Sequence, residues 1–175
     1  MIMTAGIRKF GLTAHVSLSV GWLGAVAAFL ALAVAGLTSQ DPRVVRASYL
    51  AMDLTGWFVI VPFSIASLLT GLVQSLGTPW GLFRHYWIVA KLAINLFASV
   101  LLLIHMRPIR HMALAAAEKA LSASDLRGLR SQLVADAGAA LVVLLVATTL
   151  AVYKPKGMTR YGWRKQRARE SISQP

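Results

Sequence analysis

Two ionisable side chains stand where lipid makes charge expensive. His15 and Lys91 each lie inside an apolar run of about twenty residues, the length that crosses a bilayer. A charge at mid-bilayer costs about 2.5–3.5 kcal/mol on the insertion scale, so such residues are functional candidates by default. Neither stands alone. His15, Ser19 and Trp22 are spaced four and then three apart, and Lys91, Asn95 and Ser99 four and four. Ser64, Ser67, Gly71 and Gln74, with Thr70 alongside, make a longer series. Each series is one face of a helix. A polar face inside a membrane turns to other helices or to a cofactor, not to lipid. The plainer reading of Lys91 is that it snorkels to nearby headgroups.

A second set gathers elsewhere. Met52 and Asp53 open one apolar run, and Asp136 opens another. His105, Met106 and Arg107 close a third, with Arg110, His111 and Met112 just beyond. Asp53 and Asp136 could pair with Arg107 or Arg110 in a structural role, or form a proton or ion site. Histidine is cheap near an interface, which suffices for His85, His105 and His111.

The elements that position these residues follow from composition. The chain has 175 residues, of which 57% are hydrophobic and only 14% charged. Soluble domains carry about 25% charged residues. Mean hydropathy is +0.65. Four stretches are long enough to span: about 13–37, 48–76 (with Pro62 at its middle), 86–106 and 133–153. Backbone groups find no water in lipid, so these must be helices. The fold class expected is all-α, an integral membrane four-helix bundle in a single domain. Pro62 removes a backbone donor and should kink the second span. The first run is too long for a signal-peptide core and is read as a retained helix. Gly21-x-x-x-Ala25, Gly24-x-x-x-Ala28 and Ala31-x-x-x-Ala35 would let a neighbouring backbone approach.

The net charge is +12. The basic residues flank the apolar runs, which points to anionic lipid headgroups and away from nucleic acid. Arg8 and Lys9 precede the first span, and Lys154, Lys156, Arg160, Arg164, Lys165, Arg167 and Arg169 follow the fourth. The positive-inside rule then places both termini in the cytoplasm. The tail 154–175 reads as basic, polar and flexible. Residues 111–121 suit a short interfacial helix, and Ser122 with Asp125 has capping-box spacing, so the last helix would begin near 124. In that orientation His15, Lys91, Thr70, Gly71, Gln74 and Trp87 all fall in one layer at the inner leaflet. Trp22 lies about 10 Å deeper than His15. That is too deep for the aromatic belt that Trp57, Trp80, Trp87, Tyr86 and Tyr153 fit. The chain has no cysteine, which removes disulfides, thiolate metal sites and cysteine nucleophiles. No HExxH, P-loop, GxSxG or dinucleotide fingerprint is present.

The order of these motifs resembles the membrane families around copper-resistance protein D, with which the HemJ-type protoporphyrinogen oxidases belong. His15, Trp22 and Gly24 resemble their first-helix pattern, and Pro62 with Thr70-Gly71 their second. Trp87-x-x-x-Lys91 resembles their third, and Lys154-Pro155 the close of their last helix. As a whole, the sequence looks most like an uncharacterised actinobacterial family of integral membrane proteins in that group. The resemblance implies haem b between the first and third helices, with His15 as ligand and Lys91 as its critical companion, at the iron or at a propionate. His85 is a fallback ligand. The oxidases carry an Asn-Glu-x-x-Pro-like element entering the last helix; here only Asp136 answers to it. The copper-resistance relatives suggest instead copper held by His105, Met106, His111 and Met112, since copper(I) prefers soft ligands.

Three expectations follow. The first is a haem b redox protein of the bacterial inner membrane, working in electron transfer or membrane-linked oxidation with a redox partner. The second is a copper-handling membrane protein. The third is an accessory or structural subunit without cofactor, in a larger complex or a homo-oligomer.

Overall fold

The computed structural model describes residues 3–78, 81–118 and 125–173. All regular structure there is helical: α1 (Ala5–Thr38), α2 (Pro42–Thr55), a π turn (Gly56–Ile60), α3 (Val61–Gly77), α4 (Tyr86–Ala117), α5 (Asp125–Tyr153) and α6 (Arg160–Ser173). Four helices are long and apolar enough to cross a membrane, with α2, the π turn and α3 forming one of them. Local chemistry sets their ends. The Asp41 carboxylate caps α2 by accepting from Arg43 N at 2.8 Å, and Pro42 fills the first turn, where no donor is needed. Lys154 closes α5 in the left-handed conformation (φ 44°), and Pro155 then forbids continuation.

Pro62 acts through the turn before it. Proline lacks the amide proton, and its ring crowds the carbonyl four residues back. The helix widens there: Val61 N–H reaches back five residues to Gly56 O, and α3 restarts with proline in its first turn. The expected kink site is thus a π turn.

α1 packs against α2, α3 and α5, and α4 packs against the same three. α1 and α4 therefore hold opposite corners of a four-cornered bundle. The starts of α1 and α4 and the ends of α3 and α5 lie at what we call its near end. The α1–α2 loop, the end of α4 and the start of α5 lie at the far end. A Cβ on Gly21 would stand 2.6 Å from the Phe63 ring, so this small residue is what lets α3 approach α1. Gly24 faces open space.

Three of these helices are longer than a bilayer's hydrocarbon core is thick. α1 has 34 residues, the Pro42–Gly77 helix 36 and α4 32. At about 1.5 Å per residue these are about 51, 54 and 48 Å, against a hydrocarbon core of about 30 Å. The tightest core lies at the far end. Tyr49, Met52, Met106 and Met112 are the largest fully buried apolar side chains. Nearer the middle, large apolar side chains such as Phe58, Phe97, Ile104 and Val142 point outward.

Three local expectations change. The second helix starts at Pro42, not near 48. α4 runs unbroken through Pro108 to Ala117, so residues 111–117 continue the third long helix and form no separate one. Residues 154–173 contain α6 and are clipped to the α3–α4 loop. Thr159 N donates to Arg84 O at 3.0 Å, and His85 forms an antiparallel bridge with Met158. Ser122 of the capping-box spacing and Trp80 lie outside the described residues; α5 begins at Asp125.

Candidate cofactor site

The His15 ring is fixed by α3. Its Nδ1 lies 3.1 Å from Ser67 O and 3.0 Å from Thr70 Oγ1. A carbonyl oxygen only accepts, so Nδ1 carries the proton and donates it. The Thr70 hydroxyl donates to Ala66 O at 2.7 Å, which leaves its oxygen to accept from the imidazole. With Nδ1 protonated, Nε2 keeps its lone pair. Such a backbone-anchored tautomer orients a metal-binding imidazole. Lys91 Nζ reaches across the diagonal of the bundle to 3.4 Å from Nε2.

The neighbours shape the ring's seat. A Cβ on Gly71 would stand 3.1 Å from His15 Cε1, so the position is tight for anything larger than glycine. Ser19 Oγ and Ser67 Oγ share a hydrogen bond of 2.8 Å beside it. Gln74 Nε2 donates to Arg8 O at 3.2 Å, tying the start of α1 to the end of α3. Asn95 Nδ2 donates back to Lys91 O at 3.0 Å, steadying the turn that carries the lysine.

All this opens on a cavity of about 740 Å³ lined by α1, α3, α4 and α5. Small-molecule sites usually measure about 300–1,000 Å³. His15, Lys91, Gly71, Gln74, Trp87 and Trp22 line it, and Thr70 stands behind the ring. The sequence therefore brings its inner-layer candidates to one place. Trp22, only 3% exposed, is part of the apolar core as well. Three further residues that line the cavity, Arg8, Lys9 and Lys154, are not candidate site residues from the sequence. The signal for Arg8 was present, since it lies seven residues before His15 on the same face. No Asp or Glu is among the described lining residues. The cavity is apolar-walled and positively charged. His85 does not line it.

The far-end candidates arrange differently. His105 donates from Nδ1 to Leu101 O at 2.8 Å, and its Nε2 lies 3.0 Å from Asp136 Oδ2. That second contact is an ion-pair distance without hydrogen-bond alignment. The partner of Asp136 is thus His105 on the facing helix, not Arg107 or Arg110. Asp53 Oδ1 is buried without a hydrogen-bond partner among the described residues. Met106 and Met112 are buried in the core, the Met106 methyl against Gly56, whereas His111 is exposed. Packing explains both methionines. Among the described residues, no group of three or more His, Asp and Glu converges as a metal site.

Comparison with protein-family models, curated proteins and solved structures finds no match for this chain.

Proposed function

We propose that this chain is a multi-pass protein of the bacterial cytoplasmic membrane, with both termini inside. In this reading it binds haem b among its helices through His15 and serves electron transfer or a membrane-linked oxidation. The observation that carries the reading is His15 itself: Nδ1–H is anchored on Ser67 O, and Nε2 is left as a donor atom beside a cavity of ligand size.

The bilayer placement follows from length. Twenty residues cover about 30 Å. Counted from the near end, they run from Phe10 to Phe29, Gly77 to Phe58, Tyr86 to His105 and Tyr153 to Val134. Trp57 then marks the far boundary, as a belt residue should. Asp53 and the His105–Asp136 pair fall outside the hydrocarbon or at its edge, where charge is affordable. His15 and Lys91 each lie five residues inside, about 8 Å deep. Ten of the eighteen Lys and Arg residues lie at the near end and seven at the far end, which favours the near end as cytoplasmic.

The residues present fit a haem. Imidazole is a common axial ligand. The apolar walls and Trp22 suit a flat macrocycle, and Arg8, Lys9 and Lys154 suit its carboxylates. When bound, haem would supply one-electron chemistry. The chain's own residues do the rest. Ser67 and Thr70 hold the imidazole's tautomer and direction. Gly71 makes room for its edge. Lys91 Nζ stands 3.4 Å from Nε2 and would have to give way to a group bound there, where its charge would meet a carboxylate. The family resemblance agrees on His15 and Lys91.

Titration with haemin, followed by absorbance, tests this: a Soret band should saturate at one haem per chain, and the absence of saturation contradicts it. A finer prediction concerns Thr70. Outer-shell partners of a ligating histidine are worth about 10–100-fold in affinity. Thr70→Val keeps the shape and removes the acceptor for Nδ1–H, though Ser67 O remains. Haem affinity should fall about tenfold with the Soret position retained. Unchanged affinity would show that Ser67 alone sets the ring.

A further inference from the structure

We propose that α6 docks on anionic phospholipid headgroups, with Arg160, Arg164 and Arg167 as the phosphate-binding groups and Trp163 as the interfacial anchor. The proposal uses the bilayer placement above and is independent of haem.

The three arginines are spaced four and three apart, one face of a helix. With Trp163 they line a concavity of about 380 Å³. The planar guanidinium fork matches phosphate oxygens in a way a point charge does not. Trp163 and Tyr161 are both about half exposed, and such amphipathic rings settle at headgroup level. Lys165 lies over the Tyr161 ring, 5.8 Å from its centre, which adds positive charge on the flank of the arginine face. α6 has 14 residues and a strongly polar composition, so it is too short and too charged to span. A basic helix of this kind belongs on a membrane surface.

What makes the surface specific is how α6 is held. Tyr86 N donates to Gly157 O at 3.4 Å, and the Thr159 hydroxyl accepts from Gly162 N at 3.1 Å. Gly162 packs directly on the Arg84 carbonyl, where a side chain would collide with backbone. The first turn of α6 is therefore fixed to the loop joining α3 to α4. That loop marks the near-end boundary of two membrane helices. Thus the base of α6 is held beside that boundary before any lipid binds, and its arginine face, on the side away from Gly162, is within reach of the headgroups. Charge complementarity alone would also admit a soluble polyanion such as nucleic acid. The fixed height and the aromatic residues favour lipid.

The test exploits the absence of cysteine. Ser171→Cys, four residues beyond Arg167 on the same face and outside the clipped first turn, is spin-labelled in the whole chain and placed in nanodiscs of phosphatidylcholine, with or without phosphatidylglycerol. Accessibility to oxygen and to a water-soluble nickel chelate reports depth. The expected result is nickel protection and oxygen access in the anionic discs, lost in zwitterionic discs and reduced by salt. Each basic residue near an anionic surface is worth about fivefold in partitioning, so replacing all three arginines with glutamine should lower the docked-to-free ratio by about a hundredfold. Equal protection in both kinds of disc would overturn the proposal, as would a contrast that survives the triple substitution. Protection by heparin in zwitterionic discs, with none from phosphatidylglycerol, would assign the face to a soluble polyanion and equally overturn it.

Discussion

His15→Ala is expected to abolish haem retention while leaving the helical bundle intact. His15 is the only histidine that lines the cavity; His85 sits on the loop, and His105 and His111 lie at the far end. No other described imidazole can substitute. Outer-shell changes at such ligands cost about 10–100-fold in affinity, so loss of the ligand itself should exceed that range. The side chain contributes hydrogen bonds to Ser67 and Thr70 and little of the apolar core, so far-ultraviolet circular dichroism should be unchanged. The check is a pyridine haemochrome assay giving haem per chain. Wild-type occupancy in this variant would remove His15 as the ligand.

Met106→Ala is expected to give the largest loss of stability, about 2–5 kcal/mol, the usual cost of truncating a buried methionine. Met106 is 2% exposed, and Tyr49, Met52 and Met112 are equally buried at the same end of the bundle. The bilayer placement puts that cluster at the far boundary of the hydrocarbon and beyond it, where apolar burial is driven by water. Inside lipid the same driving force is absent between helices. Ile104→Ala is the contrast: Ile104 is 60% exposed on the outside of the bundle, and its truncation should change stability little. Thermal unfolding in detergent compares the two. Haem stoichiometry of Met106→Ala at low temperature should match the wild type, because the cavity lies at the other end. Equal effects from the two variants would contradict the division of the bundle into a lipid-embedded part and a water-stabilised cap.

The sequence carried much of this in its periodicity. Four apolar runs gave four long helices. The stripes through His15, Gly71 and Lys91 predicted their convergence, because residues three and four apart share a face whatever the packing details. The second helix starts earlier and the third ends later than the apolar runs for one reason: hydropathy does not distinguish residues facing lipid from residues packed in a cap above it. The start of the last helix near 124 is legible from polar residues instead. Val45, Tyr49 and Met52 belong to that cap, and the helix carrying them continues through the far boundary. The partner of Asp136 was missed because the choice among His105, Arg107 and Arg110 depends on which of them faces α5. Arg8 and Lys9 serve as topology signals in the sequence and Lys154 also as part of the last-helix motif, yet all three line the cavity. The clip holding α6 uses backbone groups of Arg84, Tyr86 and Gly157, which leave almost no trace in side-chain pattern. Gly162, pressed on a carbonyl, and Thr159, whose hydroxyl meets the first turn of α6, are its legible marks.

Haem binding at His15 is tested most directly by the absorbance spectrum of the detergent-purified protein, oxidised and then reduced with dithionite. A Soret band that shifts on reduction, with sharp α and β bands, is the predicted result. A featureless spectrum, both as purified and after haem is added back, would contradict it.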